Sequence, residues 1–222
     1  VTACGGNVKG EDTFSFDLTE CPLSLIESTG KGKFKAGFEL PVDDTTIYLN
    51  RTHPIVESVA SYIMNTSLDQ YLPSPARRCG VIRTGHVKKR TTVLLLRLRY
   101  HIITIKDNIE KPLLAEDSQL LIFGGSPQNA EWLPTAAAEE LLLAKPEENI
   151  NPDQAGDFIK RIIDNIDFLN PHIEEAAKKR AEELLVSHRR IRAASRQTGV
   201  NYRVEPQLPA DILGIYVYLP AG

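Results

Sequence analysis

Thr91-Thr92-Val93-Leu94-Leu95-Leu96-Arg97-Leu98-Arg99-Tyr100-His101-Ile102-Ile103-Thr104-Ile105 contains neither Gly nor Pro and is rich in Leu, Ile, Val and Thr. Its length allows a helix, but its period is two. Leu94, Leu96, Leu98, Tyr100 and Ile102 form an unbroken apolar face. Val93, Leu95, Arg97, Arg99, His101 and Ile103 form the other. A strand buried on one side and partly polar on the other is the reading. A second strand is expected at Gln119–Phe123, closed by Gly124-Gly125.

Upstream, residues 11–50 read as strands. Phe14, Phe16 and Leu18 alternate with polar residues, Lys33 to Leu40 alternates loosely, and Gly30, Gly32 and Asp43-Asp44 mark turns. A helix is expected from His53-Pro54, since a proline at the first helical position lacks only an N–H that has no partner there. Its apolar face would be Val56, Val59, Ala60 and Ile63, and Pro73 and Pro75 would close the region.

Beyond Pro134 the chain turns helical. Asn151-Pro152-Asp153 is an N-cap, a first-turn proline and an acid suited to the helix dipole. Phe158, Ile159, Ile162, Ile163 and Ile166 make the stripe that follows. His172 to Thr198 reads as one long helix ended by Gly199, with a thin seam of Ile173, Ala177, Leu184, Ile191 and Ala194 packing on the preceding helix as an antiparallel pair. Asp211 to Leu219 is again a strand. The expected fold is therefore α+β: a mostly antiparallel sheet packed against a C-terminal helical hairpin with one long helix. Residues 1–133 are mainly β with one helix, 134–200 helical, and 201–222 a returning strand.

With 222 residues, 42% hydrophobic and 25% charged, composition is ordinary for a globular chain able to bury a core without staples. No apolar run reaches the length of a membrane span. Cys4, Cys21 and Cys79 form no CxxC pair and read as reduced cytosolic thiols, which places the protein in the cytoplasm. The first residue is Val1 and no signal peptide follows, so the chain reads as a fragment of a longer one.

The net charge of -3 hides an asymmetry. From Gln70 to Lys106 there are nine bases and no acid, which leaves -12 for the rest. Arg77, Arg78, Arg83, Lys88, Lys89, Arg90, Arg97, Arg99 and His101 are the candidate nucleic-acid or polyanion-binding residues. Arg97, Arg99 and His101 would line one wall, and the bases before them would flank it. Arginine forks suit phosphates or carboxylates. The same bases could instead pair with carboxylates elsewhere in the fold.

No catalytic constellation appears. Ser28-Thr29-Gly30-Lys31-Gly32-Lys33 lacks the spacing of a phosphate loop, Gly124-Gly125-Ser126 develops no GxGxxG, and HExxH, GxSxG and zinc-type Cys/His spacings are absent. No cofactor, metal or catalytic residue is assigned, and the fragment is expected not to be an enzyme.

Three stretches carry a resemblance. Arg51-Thr52-His53-Pro54-Ile55-Val56, Ala76-Arg77-Arg78-Cys79-Gly80-Val81-Ile82-Arg83-Thr84 and Lys89-Arg90-Thr91-Thr92-Val93-Leu94-Leu95-Leu96-Arg97-Leu98-Arg99-Tyr100 resemble the C-terminal region of bacterial RapA-like ATPases of the Swi/Snf type, superfamily two. The long helix and the ending Leu208-Pro209-Ala210-Asp211-Ile212-Leu213-Gly214-Ile215-Tyr216-Val217-Tyr218-Leu219-Pro220 are similar to the close of such chains. The resemblance covers most of residues 35–220. It implies ATPase lobes upstream and an accessory role here: binding DNA or RNA, RNA polymerase, or the parent's own motor lobes. Two rivals are a self-contained interaction module that docks by its long helix, and a small-molecule enzyme with a scattered site.

Overall fold

The computed structural model describes residues 1–69, 71–107, 109–194 and 201–222, with only the backbone for 191–194. The fold is α+β, and the chain divides into two compact units, Val1–Arg77 and Arg78–Gly222.

The first unit holds β1 (Asn7–Lys9), β2 (Phe14–Asp17), α1 (Leu23–Thr29), β3 (Lys33–Gly37), β4 (Ile47–Tyr48) and α2 (Pro54–Leu68). The sheet order is β1-β2-β3-β4, with only β3 and β4 parallel. Helix α1 corrects the expectation of strands throughout 11–50 and of one helix before residue 134. Pro22 precedes it, Leu25 is fully buried, and the Thr29 hydroxyl donates to the Leu25 carbonyl at 3.0 Å. Gly30 ends it with a left-handed φ of 67°, so the turn seen in sequence is a helix cap. Helix α2 starts where expected, and His53 Nδ1 accepts from the Ile55 N–H. Its packed face is set by Ile55, Val56, Val59 and Tyr62, whereas Ala60 faces solvent.

The second unit holds β5 (Cys79–Thr84), β6 (Thr91–Lys106), β7 (Ile109–Gly124), β8 (Glu131–Leu133), α3 (Thr135–Leu142), α4 (Pro152–Ile163), α5 (Asn170–Ala194) and β9 (Asn201–Pro220). The order is β5-β9-β6-β7-β8, mostly antiparallel, with β5 parallel to β9. The returning strand is thus an inner member of the sheet. It begins ten residues before Asp211, where the apolar pattern starts, and β7 likewise begins ten residues before Gln119. Pro112, Pro206 and Pro209 hid both extensions. Among the described residues, Pro112 and Pro206 lie where β6 is the strand's only partner, so an outward-facing position needs no N–H, and Pro209 sits in the register shift of β9 between Gln207 and Asp211. The Ser118 N–H on β7 donates to Asp117 Oδ1 at 2.9 Å, which removes one more edge donor.

Leu94, Leu96, Leu98 and Tyr100 form the helix-facing side of β6, packed with Ile162 of α4 and Ile173, Ala177 and Ala181 of α5. Helices α4 and α5 both pack on this face. Helix α5 packs mainly along β9, in place of the expected helix-on-helix pairing. Leu184 is half-buried against the same core. The expected helix end at Thr198-Gly199 lies outside the described residues. On the opposite face Val93, Ile122 and Tyr218 pack under Ala138 and Leu141 of α3.

Among the described residues, the buried hydroxyls of Thr46, Thr92 and Tyr100 have no hydrogen-bond partner. Tyr100 is fully buried, and its Oη makes no hydrogen bond. Burial first, then the nearby Asp117 carboxylate, push this phenol up to about 12. Tyr100→Phe should therefore raise stability by about 1 kcal/mol, since it removes an unsatisfied buried group. A lower melting temperature for the variant would refute this.

Candidate functional site

Beyond α3 the second face of the sheet carries the predicted wall. Arg97, Arg99 and His101 project together from β6 and are all half-exposed. Opposite them on β9 stand Asp211, Gln207 and Glu205. The Asp211 carboxylate receives both arginines: Arg97 Nη2 at 2.7 Å and Nε at 2.9 Å, and Arg99 Nη2 at 3.2 Å. Asp211 holds the Arg97 guanidinium above its ordinary range. The Gln207 amide Nε2 lies 2.8 Å from His101 Nε2. Further along, Arg203 of β9 meets Glu205 at 2.7 Å and reaches across β6 to Glu110 of β7 at 3.5 Å. The face alternates cation, carboxylate and amide along its length.

Four of the flanking bases, Arg78, Arg83, Lys89 and Arg90, bond to groups away from this wall. Arg78 Nε and Nη2 donate to the carbonyls of Leu213 and Ile212, bracing β9 where its register shifts. Arg83 Nη1 donates to Pro220 O at 3.2 Å. Lys89 pairs with Glu131. Arg90 Nε donates to Gly125 O, and its guanidinium and that of Arg161 each lie 6.0 Å from the Phe158 ring centroid. Burial, then the Arg161 charge, lower the Arg90 pKa. Arg77 is the last residue of the first unit and is exposed. Lys88 is exposed and, with His86 and Lys89, lines one side of a cavity of about 270 Å³ floored by Ile122, Leu133 and Leu141.

Asp211, Gln207 and Glu147 are the residues that sequence reasoning missed. Asp211 is 114 positions from Arg97, and nothing local signals the pairing. Glu147 Oε1 accepts from the Gly85 N–H at 2.8 Å and the Thr84 hydroxyl at 3.0 Å, which ties down the turn that presents Lys88. These two bonds lower its pKa, the backbone one first. A depressed carboxylate contributes stability above its unfolded pKa and loses it as pH falls through the folded one. The melting temperature should hold at neutral pH and fall below about pH 4. Glu147→Gln should flatten part of that acid limb, as read by melting curves at stepped pH; an unaltered limb would refute it.

Among the described residues no group of His, Cys, Asp and Glu is placed to hold a metal ion, and no helix is long and apolar enough to cross a membrane. The second unit has an α+β architecture with a charge-laced sheet face. Residues 67–222 match the family described as Domain of unknown function (DUF8741), and the chain belongs to that family. The matched region contains the whole second unit and therefore the candidate face. No curated protein matches the chain.

Proposed function

We propose that this chain is a non-catalytic accessory domain of a bacterial, cytoplasmic helicase-like ATPase, and that it docks on protein: the parent's motor lobes or RNA polymerase. The observation that carries the protein-docking part is the sharing of Asp211 by Arg97 and Arg99. A phosphate backbone is met best by uncompensated cations, each of which releases counterions on binding. Here the face presents acceptors beside its donors, with Glu205, Glu110 and Glu116 along the same strands. Alternating charge of this kind complements another protein's polar surface and sets register more than raw affinity. The accessory part rests on the resemblance described above.

Nucleic acid is the second reading. It is favoured at the other end of the sheet, where Lys88 makes no ion pair among the described residues and shares its cavity with His86 and Lys89.

Binding of the purified chain to the parent's ATPase portion, to RNA polymerase and to duplex DNA should be compared by calorimetry at several salt concentrations. The expected result is association with one of the two proteins, with a shallow salt dependence. Binding to duplex alone, with a steep slope, would overturn the protein-docking reading and favour Lys88. The chain should also show no ATP turnover; turnover abolished by a point substitution within it would refute the non-catalytic assignment.

A further inference from the structure

We infer that Cys4 and Cys21 form a dithiol pair that a small disulfide oxidises to an intramolecular bond, latching the start of the first unit to the corner between β2 and α1. Both thiols are free. Cys21 is buried in the core of the first unit, and Cys4 packs against that same cluster. The chain on either side brings the two segments together. A Cβ on Gly5 would lie 3.1 Å from Glu20 O, and a Cβ on Gly6 would lie 2.8 Å from Cys21 Sγ. Only glycine permits so close an approach at Gly6, and Gly5 takes a left-handed φ of 93°. The pairing of Asn7 with Asp17 fixes the two segments in register just beyond.

The chemistry divides between the two sulfurs. Burial, then the Cys4 sulfur, raise the Cys21 thiol above its ordinary value. Cys4 is half-exposed and is the attacking group. Its thiolate attacks one sulfur of a low-molecular-weight disulfide and expels the first small thiolate. The resulting mixed disulfide is then attacked by the Cys21 thiolate, which forms the Cys4–Cys21 bond and expels the second. Two protein thiols lose two protons and two electrons, and the small disulfide is reduced to two thiols. The bond closes a short loop in the unfolded chain, so it stabilises the oxidised form, and in a reducing compartment it is reversible.

Cys79 is exposed and lies in the second unit, so a Cys79→Ser chain isolates the pair. Treated with oxidised glutathione, that chain should lose both free thiols and the mass of two hydrogens, carry no glutathione, and melt several degrees higher. A stable glutathione adduct on Cys4, or two thiols left unchanged, would overturn the inference. If Cys79→Ser fails to fold, the wild-type chain serves. Non-reducing peptide mapping should then find a linked Cys4 and Cys21 peptide, and its absence beside modified Cys79 would overturn the inference equally.

Discussion

Leu98→Ala should cost about 2–5 kcal/mol of folding free energy, the range for deleting most of a leucine from a packed core. Leu98 is 1% exposed and sits mid-strand on the helix-facing side of β6. Its neighbours there are held by three strands and by α5, so the space it leaves cannot collapse without moving the helix. Against a typical total of roughly 5–15 kcal/mol, one such change removes a large share of stability. Denaturant unfolding of wild type and variant measures it directly. Leu184→Asp, on the half-buried rim of the same core, should also destabilise, but by less, because its carboxylate can reach water. A variant of Leu98 that unfolds at the wild-type midpoint would mean that α5 is not seated on this face.

The second large effect concerns the basic wall. Arg97→Ala with Arg99→Ala should lower the melting temperature by several degrees and leave any nucleic-acid binding with its salt slope unchanged. The two guanidiniums share one carboxylate, so their removal strands Asp211 between β6 and the irregular part of β9. Asp211→Ala should be as damaging, since it removes the one carboxylate that Arg97 and Arg99 share. Were the arginines phosphate contacts instead, the double variant would flatten the slope of log K against log salt by roughly two units, at about 0.9 per phosphate. Melting curves run beside salt titrations separate these outcomes, because each predicts a change where the other predicts none.

The asymmetry in charge was plain in the sequence, but its meaning was not. Nine bases without an acid over Gln70–Lys106 suggested a polyanion site. Folding gives most of them nearby partners: Asp211 for Arg97 and Arg99, Glu131 for Lys89, and main-chain carbonyls for Arg78, Arg83 and Arg90. Of that set, Lys88 alone combines exposure, a cavity and no ion pair among the described residues.

What the sequence determined by itself was everything that depends on neighbours a few residues away. The period of two in Thr91–Ile105 set a strand and sorted Tyr100 from Arg97, Arg99 and His101, because successive side chains must point to opposite faces. His53-Pro54 and Asn151-Pro152 set two helix starts, because capping satisfies amides within one turn. Tertiary structure decided the rest. The full lengths of β7 and β9 exceed what their prolines suggest, because a strand lacking an outer partner tolerates a missing N–H. Helix α5 lies along β9 and not along α4, because a thin, alanine-rich stripe seats closely on a sheet. The partner of the arginine pair came from a strand 114 residues away, and only the closing of the sheet brings that carboxylate within 3 Å of Arg97.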